Sequence, residues 1–107
     1  MPRSVKFVLT FAPEALGHLE RIEREFHGLI DRTIDQQLGH MPDAVTRNRK
    51  PLERPSPFGA TWELRFGPNN RFRVFYDVDA TERTVWILAI GVKEGHRLLI
   101  AGEEFKP

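Results

Sequence analysis

Residues 61–79 read TWELRFGPNNRFRVFYDVD, and this stretch decides the fold. Trp62, Leu64 and Phe66 alternate with Glu63 and Arg65. Beyond a turn-rich GPNN, Phe72, Val74, Tyr76 and Val78 alternate with Arg73, Phe75 and Asp77. Period-two alternation on both sides of a turn is the pattern of a β-hairpin with one apolar face. Loop length sets the register, because a slip of one residue turns a whole set of side chains over. A loop of Pro68, Asn69 and Asn70, with Pro68 opening a type I turn and Asn70 left-handed, places Phe66 opposite Phe72, Leu64 opposite Val74 and Trp62 opposite Tyr76. A loop one residue longer sets the same three against Arg71, Arg73 and Phe75, so the hydrophobic pattern selects the shorter loop.

The same register puts Arg65 directly opposite Arg73 on the other face, flanked by Glu63, Phe75 and Arg71. Like charges opposed across a strand pair are unfavourable. Two readings follow: Glu63, diagonal to Arg73, neutralises the pair on a solvated face, or the face is built to bind an anion.

A chain of 107 residues, 40% hydrophobic, suits one domain over residues 1–107 with a modest core. With no cysteine, disulfides and thiolate metal sites are excluded. The longest apolar run, residues 85–92, is too short to span a bilayer, so no membrane partner is expected. Residues 1–11 lack the apolar core and cleavage site of a signal peptide, which makes the cytoplasm the expected location. The formal net charge of +1 divides as −1 over residues 1–40, +4 over 41–75 and −2 over 76–107, so the middle third can attract a polyanion.

Outward from the hairpin, Val5, Phe7, Leu9 and Phe11 alternate with polar or smaller residues and read as a first strand. Pro13 and Glu14 suit the first turn of a helix whose stripe is Ala15, Leu16, Leu19, Ile22 and Phe26. A break near His27 and Gly28 separates it from a second helix with the stripe Leu29, Ile30, Ile34 and Leu38, stopped by Gly39. This helical hairpin should cover the Trp62, Leu64, Val74 and Tyr76 face. Residues 41–60, with prolines at 42, 51, 55 and 57, read as an irregular crossing that carries Arg47, Arg49, Lys50 and Arg54. Residues 84–92 suit a central strand buried on both faces. Residues 98–100 fit either a short final strand or a docked turn. His18, His27 and His40 have no convergent ligands at a metal-binding spacing, and no cofactor motif is present.

The segments TRNRKPL, WELRFG, FRVFYDVD and AIGVKEGHRL, in this order, resemble the RelE/ParE toxin superfamily of toxin-antitoxin systems. The resemblance covers most of the chain in element order and is most specific over residues 46–97. It implies a small α+β domain: a twisted, mainly antiparallel sheet of four to five strands, with an N-terminal helical hairpin on one face and the other face left for function. RelE-like members are ribosome-dependent, metal-independent endoribonucleases that cut messenger RNA and so inhibit translation. ParE-like members poison DNA gyrase, and both kinds are held by a cognate antitoxin. By position, Arg73 matches the strand arginine that supports the scissile phosphate, Arg65 a basic residue on the preceding strand, and Lys93 a basic position after the central strand. His96 is the available proton carrier, its ordinary pKa lying near neutrality, against the plain alternative of a surface turn histidine. Arg47, Arg49, Lys50, Arg54 and Arg71 are the expected RNA-binding set. The sequence departs from nuclease members in lacking a C-terminal tyrosine and in carrying Glu63 where some have a basic residue. The gyrase-poison reading, and that of an inert antitoxin-binding member, therefore stay open.

Overall fold

The computed structural model describes residues 6–106. Strands β3 (Trp62–Phe66) and β4 (Phe72–Asp79) pair antiparallel with Trp62 opposite Tyr76, Leu64 opposite Val74 and Phe66 opposite Phe72, the register that apolar matching selects. The turn differs in detail. Asn69 and Asn70 both adopt positive φ, 55° and 53°, so this is not a type I turn, and the Asn70 N–H donates to the Gly67 carbonyl at 3.0 Å. Asparagine tolerates the left-handed region, so two in succession carry the chain round. Gly67 is required on two counts: its φ is 83°, and a Cβ there would stand 2.6 Å from the Phe72 ring.

Around this hairpin the sheet runs in the order β2 (Arg49–Pro51), β3, β4, β5 (Thr84–Glu94), β6 (Arg97–Ile100), β7 (Glu103–Glu104). β1 (Val8–Phe11) lies parallel to β5 and shares the edge that β6 occupies further along. Among the described residues seven strands thus replace the expected four or five. The additions are β2, inside the crossing that reads as irregular, and the two-residue β7, both too short for period-two patterning to register. Residues 97–100 are a strand. Val5, expected in the first strand, lies outside the described residues.

Helix α1 (Pro13–Glu20) is shorter than its stripe suggests, and the break falls at residues 21–23 rather than at His27. No glycine or proline forces it. The cause is tertiary: Ile22 is buried, Phe26 packs against Phe72 with ring centres 5.2 Å apart, and the His27 Nε2–H donates to the Ile22 carbonyl at 2.8 Å. Helix α2 (His27–Leu38) buries Ile30, Ile34 and Leu38, while Leu16 of α1 is 48% exposed and outside the core. Gly39 ends α2 in a right-handed conformation, and a Cβ there would sit 2.6 Å from the Asp35 carbonyl.

The main core lies between the helices and the sheet face of Leu64, Phe66, Phe72, Val74, Tyr76, Val85, Ile87 and Ile90. Phe75 pairs with Ala89 but Tyr76 with Ile87, so Leu88 is an extra residue in β5. This bulge lets Ile87 and Ile90 face the same way. β5 is not buried on both faces throughout, because Trp86 is 43% exposed. A second, smaller core on the opposite face joins Ala60, Phe75 and Ala89 to Leu52, Phe58, Leu88, Leu98 and Ile100.

Leu64 is fully buried, so Leu64→Ala should cost about 3 kcal/mol in chemical denaturation. Leu16→Ala, on the same composition argument but at an exposed position, should change stability by no more than about 0.5 kcal/mol.

Between β1 and β6 the edge of β5 has no strand neighbour among the described residues, and there His18 Nδ1 accepts the Ile90 N–H at 3.2 Å. An imidazolium could not accept that bond. Burial pulls the His18 pKa below its ordinary 6.5, opposed by Glu14. The unfolded chain therefore takes up a proton that the folded chain refuses, and stability should fall as pH drops through 6.5. Glutamine can accept the same bond without titrating. Between about pH 7 and about pH 5.5 the urea midpoint of the wild type should fall further than that of His18→Gln.

Candidate phosphate-binding face

On the face away from the helices, β3 and β4 set Arg65 opposite Arg73 and Glu63 opposite Phe75. Glu63 is 6% exposed and Arg73 7%. The Arg65 Nε–H donates to Glu63 Oε1 at 2.6 Å, while Arg73 Nη1 stands 3.8 Å from Glu63 Oε2 and its Nε–H donates to the Asn70 carbonyl at 3.1 Å. One buried carboxylate thus sits between two guanidiniums, leaving the trio with one net positive charge. The Arg65 side chain, 38% exposed, is the outward member of the pair. Burial, and next the Arg65 charge, lower the Arg73 pKa from its ordinary value, with Glu63 opposing. The arginine stays charged, in a setting that favours any further negative charge nearby.

The crossing does come beside this pair. β2 runs antiparallel to β3, with Lys50 opposite Glu63 and Arg49 opposite Leu64. Strand alternation then splits two neighbouring basic residues between faces. Lys50 shares the Arg65 face and is exposed. Arg49 turns to the helix side, is 8% exposed, and donates from Nη1 to the carbonyls of Gln37 (2.7 Å) and Met41 (2.9 Å), and from Nε to Thr46 Oγ1 (3.3 Å). Expected among the RNA contacts, it instead ties the crossing to the end of α2. Arg47 and Arg54 are exposed on the crossing.

Arg71 also leaves the expected face. Its backbone is in the right-handed helical region, φ −64° and ψ −35°, so the alternation of β4 stops before it. Its guanidinium lies over the rings of Phe26 (5.2 Å) and Phe72 (5.6 Å), with Glu23 at 3.8 Å. Lys93 lies two residues beyond Gly91, the partner of Arg73, and is exposed on the Arg65 side of the sheet. His96 occupies the exposed Gly95–His96 turn between β5 and β6, outside the hydrogen bonds and ion pairs that hold the Glu63 trio. Tyr76, the sole tyrosine of the chain, is fully buried under the helices. Its hydroxyl donates to the Pro42 carbonyl at 2.9 Å and burial pushes its pKa up, which keeps it neutral and away from this face.

Two aromatic residues on this face escape sequence reasoning. Phe58, from the crossing, and Phe105, near the C-terminus, both pack on Phe75, with ring centres 5.8 and 6.2 Å away, and on each other at 5.5 Å. Each sits alone in an aperiodic stretch, so no local pattern announces it. Among the described residues, no group of His, Asp and Glu side chains is arranged to hold a metal ion, and no helix is long and apolar enough to cross a membrane.

No protein-family model and no curated protein matches the sequence. Among solved structures, the chain is similar to a chain of the RelBE2 toxin-antitoxin complex from Mycobacterium tuberculosis, with a TM-score of 0.69 and 22% identity over 87% of this chain and 98% of that one. The fold is RelE-like: a small α+β domain with two helices on one face of a mainly antiparallel sheet.

Arg49→Ala should lower stability by about 2 kcal/mol, since it strips partners from two carbonyls. Lys50→Ala, one residue on but exposed, should move the denaturation midpoint little.

Proposed function

We propose that this protein is the toxin of a toxin-antitoxin pair and acts in the cytoplasm as a metal-independent, ribosome-dependent endoribonuclease on messenger RNA. The observation that carries the reading is the Arg65–Glu63–Arg73 trio, set on the face of a RelE-like sheet away from the helices, with Lys50 and Lys93 flanking it. A partner antitoxin is part of the same reading, supported by the complex in which the similar structure was solved.

RNA cleavage by the 2′-hydroxyl needs that hydroxyl deprotonated, the charge on the pentavalent phosphate stabilised and the leaving 5′-oxygen protonated. The geometry suits the second need. Arg65 is exposed enough to meet a phosphate oxygen, and Arg73, held from below by Asn70 and Glu63, adds charge that requires no rearrangement as the transition state forms. Glu63 is committed to the two guanidiniums as their shared counter-ion. His96 is the proton carrier within this reading, and Arg47, Lys50 and Arg54 are ground-state contacts to the RNA backbone. Tyr76 has no part, being buried and bonded to Pro42.

The burial of Tyr76 and the peripheral turn that holds His96 favour a second reading, a ParE-like gyrase poison. An inert antitoxin-binding member is the third. Primer extension on messenger RNA from programmed ribosomes separates them. Arg65→Ala and Arg73→Ala should each lower cleavage about 100-fold with ribosome binding retained, their folding checked by thermal melting. Arg47→Gln with Lys50→Gln should instead weaken association and flatten its salt dependence. Unchanged cleavage by His96→Gln removes that residue from the mechanism. A wild-type protein that leaves the messenger intact but traps gyrase on cleaved DNA replaces the nuclease reading with the second one.

A further inference from the structure

At the border of the basic face, beyond its aromatic cluster, the sheet leaves a gap of different character. β1 pairs with β5 as far as Ile87, and β6 joins β5 only from Gly91, so α1 and the β6–β7 end of the chain flank a stretch of open edge. A cavity of about 560 Å³ lies there. Its floor includes Phe58, Leu88 and Ile100, all half-buried, and its rim carries three exposed carboxylates, Glu14 from α1 with Glu103 and Glu104 from β7. Glu104 has an ion-pair partner in Arg97, but at 3.9 Å and with both side chains well exposed. Such a pair exchanges readily for a better one.

We infer that this cavity is a docking site for an extended, apolar and cationic polypeptide segment of a partner protein. Three observations lead there. The apolar floor favours aliphatic or aromatic side chains. The acidic rim repels nucleic acid and complements lysine or arginine, the reverse of the Arg65 face. Among the described residues β7 is the last strand of the sheet, with β6 its one partner, and it carries two of the three rim carboxylates, so an incoming strand finds backbone groups to pair with, which a small molecule could not use. The cavity also shares Phe58 and Phe105 with the aromatic cluster on the candidate phosphate-binding face. A segment seated there abuts that face without entering the arginine trio.

The test uses the full chain, isotopically labelled for amide NMR, and two short peptides, one alternating leucine and arginine and one alternating leucine and glutamate. The cationic peptide should shift the amides of Glu14, Leu88, Ile100 and Glu103 in a saturable way, and the anionic one should not. Glu103→Gln with Glu104→Gln should weaken the cationic peptide about tenfold. Glu25→Gln with Asp31→Asn, which removes the same charge from exposed positions elsewhere, should leave its affinity unchanged. Equal loss in both double variants, equal binding of both peptides, no binding, or shifts centred on Arg65 and Arg73 would each overturn the inference. Because the assay contains neither ribosomes nor nucleic acid, it can fail with the nuclease reading intact, and succeed if that reading falls.

Discussion

The pairing of Leu64 with Val74 is the constraint on which the other features depend. Both side chains are fully buried beneath the helices. Moving either strand by one residue would put Arg65 or Arg73 into that core, where an unpaired guanidinium costs several kilocalories per mole. Once the register is held, the opposite face follows from the pleat. Arg65 and Arg73 must confront each other, and Glu63 must lie within reach of both. The site is thus the reverse side of the core, stabilised by the apolar contacts on the far face of the same strands.

Glu63 makes that confrontation tolerable. Two guanidiniums across a strand pair repel, and burial of Arg73 sharpens the repulsion because less water screens it. A single carboxylate between them, 2.6 Å from one and 3.8 Å from the other, satisfies most of the repulsion while leaving net positive charge at the surface. Neutralisation by Glu63 and anion binding are therefore compatible, although Glu63 and Arg73 are buried and not on a solvated face. Glu63 balances the pair in the free protein, and the residual charge is what a phosphate would meet.

The second small core explains why this face is not an open sheet. Phe58 and Phe105 come from segments far apart in sequence, yet both settle on Phe75, pinning the crossing and the C-terminal stretch to the sheet. Their rings cover the part of the face near Phe75 and leave the charged part beside Lys50 and Lys93. The basic crossing is divided in the same spirit. Arg49 and Lys50 are adjacent and chemically alike, but β2 sends one to the carbonyls at the end of α2 and the other to solvent.

Composition and periodicity by themselves determined the hairpin, its register, the opposed arginines, the stripe of the second helix and the absence of any disulfide framework. These are local or nearest-strand consequences of which side chains avoid water. The resemblance of ordered motifs extended that reading to the RelE-like fold. Only the tertiary structure decided the break at residues 21–23, the bulge at Leu88, the exposure of Trp86 and Leu16, the fate of Arg49 and Arg71, and the arrival of Phe58 and Phe105. In each case the deciding contact is made by residues distant in the chain or by a backbone that leaves its regular conformation. A guanidinium in the sequence carries charge wherever it goes; whether it meets a carbonyl, an aromatic ring or a phosphate depends on which elements fold beside it.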